Sequence, residues 1–130
     1  MSVPAYKRYL SKVEYISQAQ ELLRMSVQNC KKIPKQYTFF GKTHCYELAQ
    51  DILDNCARAN ITNLQTNYQL RTEYLNKALS SLACLSMLLQ TLILYGGLED
   101  YKWVNWGNQI DLCEKLIKGV LKSDKEKMGA

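Results

Sequence analysis

The chain contains only one histidine, His44, and its five cysteines include no CxxC pair. Zinc sites draw their ligands from histidines and cysteines at short spacings, and a catalytic serine or cysteine needs a nearby base. Glu47, Asp51 and Asp54 follow His44 along one predicted helix, but a di-iron centre in a bundle needs Glu-x-x-His motifs on two helices. We therefore interpret this acidic stripe as solvent-facing, with Asp54 paired to Arg58, and expect no metal or cofactor.

A phosphate-binding loop is also missing from the sequence. Gly41-Lys42-Thr43 matches the end of the GxxxxGK[ST] pattern, but Gln36 stands where the first glycine is required. Because His44 is also the one histidine that could serve as a base, we expect that the chain is not an enzyme and assign no catalytic residue.

The sequence has no hydrophobic run long enough to cross a membrane as a continuous span. Its longest run, Leu82–Tyr95, has 14 residues and includes Ser86, Gln90 and Thr91, whereas a spanning helix needs about 20. The N-terminal MSVPAYKRYL has no apolar signal-peptide core. We expect a cytoplasmic protein without a membrane partner, and reduced thiols in the core at Cys30, Cys45, Cys56, Cys84 and Cys113.

Prolines and glycines are few, two and six respectively, and apolar residues at three- and four-residue spacing predict four helices. The first is capped by Ser11 and Glu14 and stops before Pro34; the others run from near Thr38 or Gly41 to Ile61, from Asn67 to Tyr95, and from Glu99 to Lys122. Short loops make consecutive helices antiparallel neighbours. We expect an all-α, up-down-up-down antiparallel four-helix bundle over residues 11–122, with an N-terminal arm (1–10) and a frayed basic tail (123–130).

The predicted core residues recur about once per helical turn. They are, helix by helix, Ile16, Ala19, Leu23, Val27 and Cys30; Cys45, Leu48, Ile52, Cys56 and Ala59; Leu82, Leu85, Leu89 and Leu92; and Trp103, Trp106, Ile110, Cys113, Ile117 and Val120. Gly96 and Gly97 are expected to end the third helix in a left-handed cap.

The third helix is apolar around most of its circumference, whereas a helix with one partner shows a single apolar stripe. A small domain cannot cover such a helix on both sides, so we expect a second copy of the chain to cover it. The predicted oligomer interface consists of the apolar residues outside the main stripe, Cys84, Met87, Leu88 and Leu94.

The net charge of +5 is concentrated at the front of the chain, where residues 1–46 hold eight basic and two acidic residues. The helix dipole stabilises cations at helix C-termini, which accounts for Lys31 and Lys32 but not for the cations at the start of the first helix. The phosphate backbone of DNA or RNA, bound without sequence preference, is the expected partner. The predicted contacts are Lys7, Arg8, Lys12, Lys31, Lys32, Lys35 and Lys42.

One segment carries a family resemblance. Residues 33–41 read IPKQYTFFG, a turn that leads to a glycine at the start of the second helix, and that helix ends at Ala59-Asn60. With the VPAYKRY opening and the leucine-rich third helix, the chain resembles the four-helix accessory variability proteins of diversity-generating retroelements. It is more distantly similar to the proteins encoded by intervening sequences in bacterial 23S ribosomal RNA genes.

The resemblance implies a homopentameric ring that binds nucleic acid and serves a reverse transcriptase as its partner. Pro34, Gly41 and Asn60, which match the family, are turn and cap positions, so no binding residue is transferred from it. The expected function is a non-enzymatic nucleic-acid-binding accessory protein. The alternative is a protein–protein adaptor that does not bind nucleic acid directly, with its lysines serving solubility.

Overall fold

The computed structural model describes residues 13–96 and 100–129, without the side chains of residues 100–102. This part of the chain forms four α-helices and no strand: α1 (Glu14–Cys30), α2 (His44–Ile61), α3 (Tyr68–Leu94) and α4 (Asp100–Lys127). A 3₁₀ turn (Lys35–Tyr37) and a π-helical segment (Thr38–Thr43) lie between α1 and α2. The predicted all-α fold with four helices is confirmed.

Each helix packs against the next in the chain, and α4 also packs against α1. The Tyr37 hydroxyl donates a hydrogen bond to the Tyr95 carbonyl at 2.8 Å, which joins the α1–α2 connection to the end of α3. At the opposite end, Arg71 near the start of α3 contacts the Ala59 carbonyl of α2 and the Asp124 carboxylate of α4. We call these two regions the α1–α2 end and the α2–α3 end.

The core contains the predicted residues of α2 and α3 and four of the six predicted in α4, whereas Trp103 and Val120 are half-buried and pack against the core from outside. The inner face of α1 also differs from the prediction. Leu22 and Ser26 are buried there, whereas Leu23 is only half-buried and Val27 is 38% exposed. The buried positions follow an uninterrupted helical spacing from Tyr15 onward. The prediction is confirmed for Ile16, Ala19 and Cys30. It missed the rest of this face because it followed apolar residues only, and one residue of the true face is a serine.

Ser26 is accommodated in the core by hydrogen bonds. Its hydroxyl donates to the Leu22 carbonyl at 2.8 Å and accepts a 3.0 Å hydrogen bond from the indole nitrogen of Trp106. Trp106 is fully buried, as its spacing predicted. Because buried hydroxyl and indole groups are costly without partners, this bond fixes α4 against α1 in one position.

The helix α2 begins at His44 rather than near Thr38 or Gly41, because the π-helical segment precedes it. The observed helix ends depart from the predicted ones at two further places. The first helix begins at Glu14, and Val13, which cannot provide a side-chain cap, stands at the cap position. The predicted cap residue Ser11 lies outside the described residues, and Glu14 is at the first rather than the third helical position. At the end of α3, Gly96 has φ +82°, which confirms the expected left-handed cap; Gly97 is outside the described residues.

The last departure is at the end of α4, which continues five residues beyond the predicted Lys122. Asp124, expected in a frayed tail, is only 2% exposed. Its carboxylate accepts hydrogen bonds from Arg71 Nε at 2.6 Å and Nη2 at 3.4 Å. A nearly buried carboxylate requires such a partner, so the ion pair holds the last turns of α4 on α3.

Replacing Asp124 by Asn should destabilise the protein by about 3 kcal/mol, because Arg71 would be left largely buried without its counter-charge. Chemical denaturation gives the free energy of unfolding. The matched control is Lys118→Met, which breaks the exposed pair of Lys118 with Glu114 and should cost less than about 0.5 kcal/mol. Equal losses in the two variants would contradict the assigned role of Asp124.

Candidate nucleic-acid interface

Four of the predicted phosphate contacts lie together at the α1–α2 end, and the other three are outside the described residues. Lys31 and Lys32 follow the end of α1, Lys35 opens the 3₁₀ turn, and Lys42 lies in the π-helical segment. The side chains of the first three are exposed and Lys42 is half-buried. The residues that the structure does not describe are Lys7, Arg8 and Lys12. The lysine cluster, as we use the term, is Lys31, Lys32, Lys35 and Lys42.

The lysine cluster is not neutralised within the described part of the chain. None of its four side chains forms an ion pair with another described residue. The nearest acids in the sequence are Glu21, which pairs with Arg24, and Glu47, which lies 3.6 Å from His44. In the sequence, two further acids stand at positions 99 and 100, before and at the start of α4, and their side chains are outside the described residues.

Helix dipoles account for only half of the cluster. Lys31 and Lys32 stand at the C-terminal end of α1, where a cation is favoured by roughly 0.3–1 kcal/mol. Lys35 and Lys42 precede α2, and the N-terminal end of a helix favours anions instead. Lys35 and Lys42 are therefore the members of the cluster that helix stability does not explain.

The segment that carries the cluster is attached to the bundle by apolar contacts. Ile33 is 2% exposed and Gly41 is buried. A methyl group at Gly41 would lie 3.2 Å from Leu92 and 3.5 Å from Ile33, so glycine lets the connection approach the end of α3 closely. The lysines are consequently presented on a fixed part of the fold.

Two phenylalanines lie among these lysines, and the sequence analysis did not select them. The Phe39 side chain is 94% exposed and that of Phe40 43%. The Phe40 ring packs edge-to-face on Tyr37, with ring centroids 5.6 Å apart. The missed signal was their position inside the IPKQYTFFG segment, between Lys35 and Lys42, where they have no helical periodicity that would place them in the core.

The outer face of α3 contains three of the four predicted interface residues. Cys84 is exposed, Met87 is 62% exposed and Leu94 is 79% exposed. No charged residue occurs on α3 after Lys77, so this outer face stays uncharged over its second half. Leu88 differs from the other three, because it is packed in the core of its own chain. We remove Leu88 from the interface for this reason.

The cysteines are free thiols, but only four are in the core. Cys30, Cys45, Cys56 and Cys113 are buried, whereas Cys84 is exposed on α3, which corrects the expectation of five core thiols. Burial raises the pKa of the Cys56 and Cys113 thiols to about 12. The Cys45 thiol lowers the pKa of Cys30 through a hydrogen bond, and its own pKa is raised.

These environments predict a clear order of thiol reactivity. With a disulfide reagent at neutral pH, Cys84 should react before the four buried thiols, which should become reactive only on unfolding. The Cys84→Ser variant should then have no rapidly reacting thiol. A fast-reacting thiol that remains in this variant would contradict the core assignment of the other cysteines.

The acidic stripe on α2 has the solvent-facing position expected of it. His44, Glu47, Asp51 and Asp54 are all exposed. The ion pairs of the described residues do not include Asp54 with Arg58, so that predicted pair is wrong. Among the described residues, no group of three or more histidine, cysteine or acidic side chains could hold a metal ion.

By length and composition, α3 is also the one described helix that could span a membrane, with a mean hydropathy of 1.6 over its best window. The core helix of a soluble bundle meets the same criterion, and seven residues of α3 are buried inside the chain. The expectation that no membrane is bound remains a prediction.

The chain matches no family model, no curated protein and no solved structure. The candidate sites are therefore the lysine cluster with its phenylalanines and the outer face of α3, each defined by geometry and charge.

Proposed function

We propose that the protein is a non-enzymatic accessory subunit that binds DNA or RNA through phosphate contacts at the α1–α2 end. The observation that carries the proposal is the lysine cluster, four basic side chains without an ion pair among the described residues. A polyanion gains affinity there by releasing its counterions, and this gain does not depend on base sequence. The cluster lies on a segment packed against the core, so binding requires little ordering of the chain.

We further propose that the protomer is an up-down-up-down bundle and that several protomers form a ring, as in the retroelement accessory proteins that the sequence resembles. A ring of protomers contains several lysine clusters, so that the modest positive charge of each chain adds up to a strong electrostatic attraction for nucleic acid. In this role the protein would serve a reverse transcriptase as its partner. A reverse transcriptase encoded beside this chain would support that part of the proposal.

The phosphate contacts can be tested with the double variant Lys35→Gln, Lys42→Gln. Each lost phosphate contact lowers the slope of log affinity against log salt by about 1, so the slope for mixed-sequence DNA should fall by about 2. Fluorescence anisotropy over a series of salt concentrations measures it. The control Lys115→Gln, Lys118→Gln has the same change of charge on exposed positions of α4 and should retain the wild-type slope.

Two outcomes would contradict this proposal. If the control lowers the slope as much as the test variant, general charge rather than the lysine cluster determines binding. If the wild-type protein binds neither DNA nor RNA even at low salt, the protein–protein adaptor takes the place of the proposed function.

The interface between copies is proposed to be the outer face of α3, formed by Cys84, Met87 and Leu94. Its support is the uncharged second half of this face, where two large apolar side chains are mostly exposed. Covering a long apolar side chain contributes about 1.5–3 kcal/mol, which another copy with the same face could supply.

The variant Met87→Glu should dissociate the assembly, because a carboxylate would have to be buried at the interface. Sedimentation velocity should then give the mass of one chain, 15.0 kDa. Asn76→Glu is the control, since Asn76 is exposed on the polar half of α3 and should leave the assembly intact. A wild-type protein that sediments as a single chain at micromolar concentration would exclude this interface.

A further inference from the structure

We propose that Phe39 is a stacking platform for an unpaired base, so that the α1–α2 end prefers single-stranded nucleic acid to duplex. This inference rests on the proposed function, because it concerns the nucleic acid that the lysine cluster holds. Phosphate contacts alone do not distinguish paired from unpaired bases, and stacking on Phe39 would provide this distinction.

The first step is the exposure of the ring. Phe39 is 94% exposed, which is the highest value among the large hydrophobic residues that the structure describes. An exposed apolar surface indicates a binding site when several apolar residues form it together, rather than one side chain alone. Phe40 follows Phe39 in the chain, is 43% exposed and packs edge-to-face on the Tyr37 ring. The Tyr37 hydroxyl in turn donates a hydrogen bond to the Tyr95 carbonyl.

The second step is the rigidity of the support. The π-helical segment that contains Phe39 packs through Gly41 against Leu92 and Ile33, and the adjacent Phe40 is fixed by Tyr37. Short π-helical segments are rare and are frequently found at functional sites. A ring on such a support loses little conformational freedom when a flat partner stacks on it.

The third step is the charge around the ring. Lys35 precedes Phe39 by four residues and Lys42 follows it by three, and neither forms an ion pair with a described residue. A surface that offers an aromatic face between cations suits a chain of phosphates with flat bases. Proteins that bind single strands combine these same two elements, whereas the bases of a duplex are already stacked on each other. An apolar protein segment could pack on the Phe39 ring, but it would gain nothing from the neighbouring lysines.

The test compares Phe39→Leu and Phe39→Trp with the wild type. Fluorescence anisotropy would measure binding of a mixed-sequence 20-nucleotide single strand, as DNA and as RNA, and of the same DNA as a duplex. Stacking on an aromatic ring is worth about 1–3 kcal/mol per base, so Phe39→Leu should weaken single-strand binding about tenfold and leave duplex binding unchanged. Phe39→Trp should retain single-strand affinity, because leucine keeps only the apolar character of the ring and tryptophan keeps its flat face.

The outcomes separate this inference from the proposed function. If Phe39→Leu changes neither affinity while Lys35→Gln, Lys42→Gln weakens both, the stacking role is wrong and the phosphate contacts remain. If Phe39→Leu weakens single strand and duplex equally, or lowers the mass measured by sedimentation, the residue has a structural role or contacts another copy and the inference is overturned. Absence of all nucleic-acid binding in the wild type would overturn both.

Discussion

Gly41 packs against Leu92 at the end of α3 and against Ile33, and this contact determines which side chains the α1–α2 end exposes. A Cβ atom at Gly41 would already lie within 3.2 Å of the leucine, so the connection follows the bundle closely. With Ile33 and Gly41 buried, the connection leaves Lys31, Lys32, Lys35 and Phe39 exposed to solvent. A stretch without acidic residues thereby becomes a compact basic surface with an aromatic group in it.

A second constraint comes from the uncharged half of α3. The chain itself covers one side of this helix with α2 and α4, and Leu88 belongs to that covered side. The opposite side keeps Cys84, Met87 and Leu94 exposed. Such a helix, with one apolar side in the core and another in solvent, is typical of protomers that bury the second side when they assemble. This property of α3 is the link between the fold and the proposed ring.

Helical spacing was sufficient to predict the number of helices and most of the core, because apolar burial imposes the three- and four-residue period. It failed where a polar residue is buried with a partner from a distant part of the sequence. Ser26 depends on Trp106, and Asp124 depends on Arg71; neither pairing has a signal in the local pattern. The lysines of the site could be predicted from charge alone, whereas the exposure of Phe39 depends on how the connection packs, and its position between Lys35 and Lys42 is the one sequence signal for it.

We propose that nucleic acid contacts the α1–α2 end of the bundle, and the functional assignment depends on this contact. Photo-crosslinking of the wild-type protein to an oligonucleotide, followed by mass spectrometry of the crosslinked peptides, tests it most directly. Crosslinks are expected to concentrate between residues 31 and 43, in the segment that joins α1 to α2. Crosslinks that instead map to the second half of α4 or to the acidic stripe of α2, with none in this segment, would contradict it.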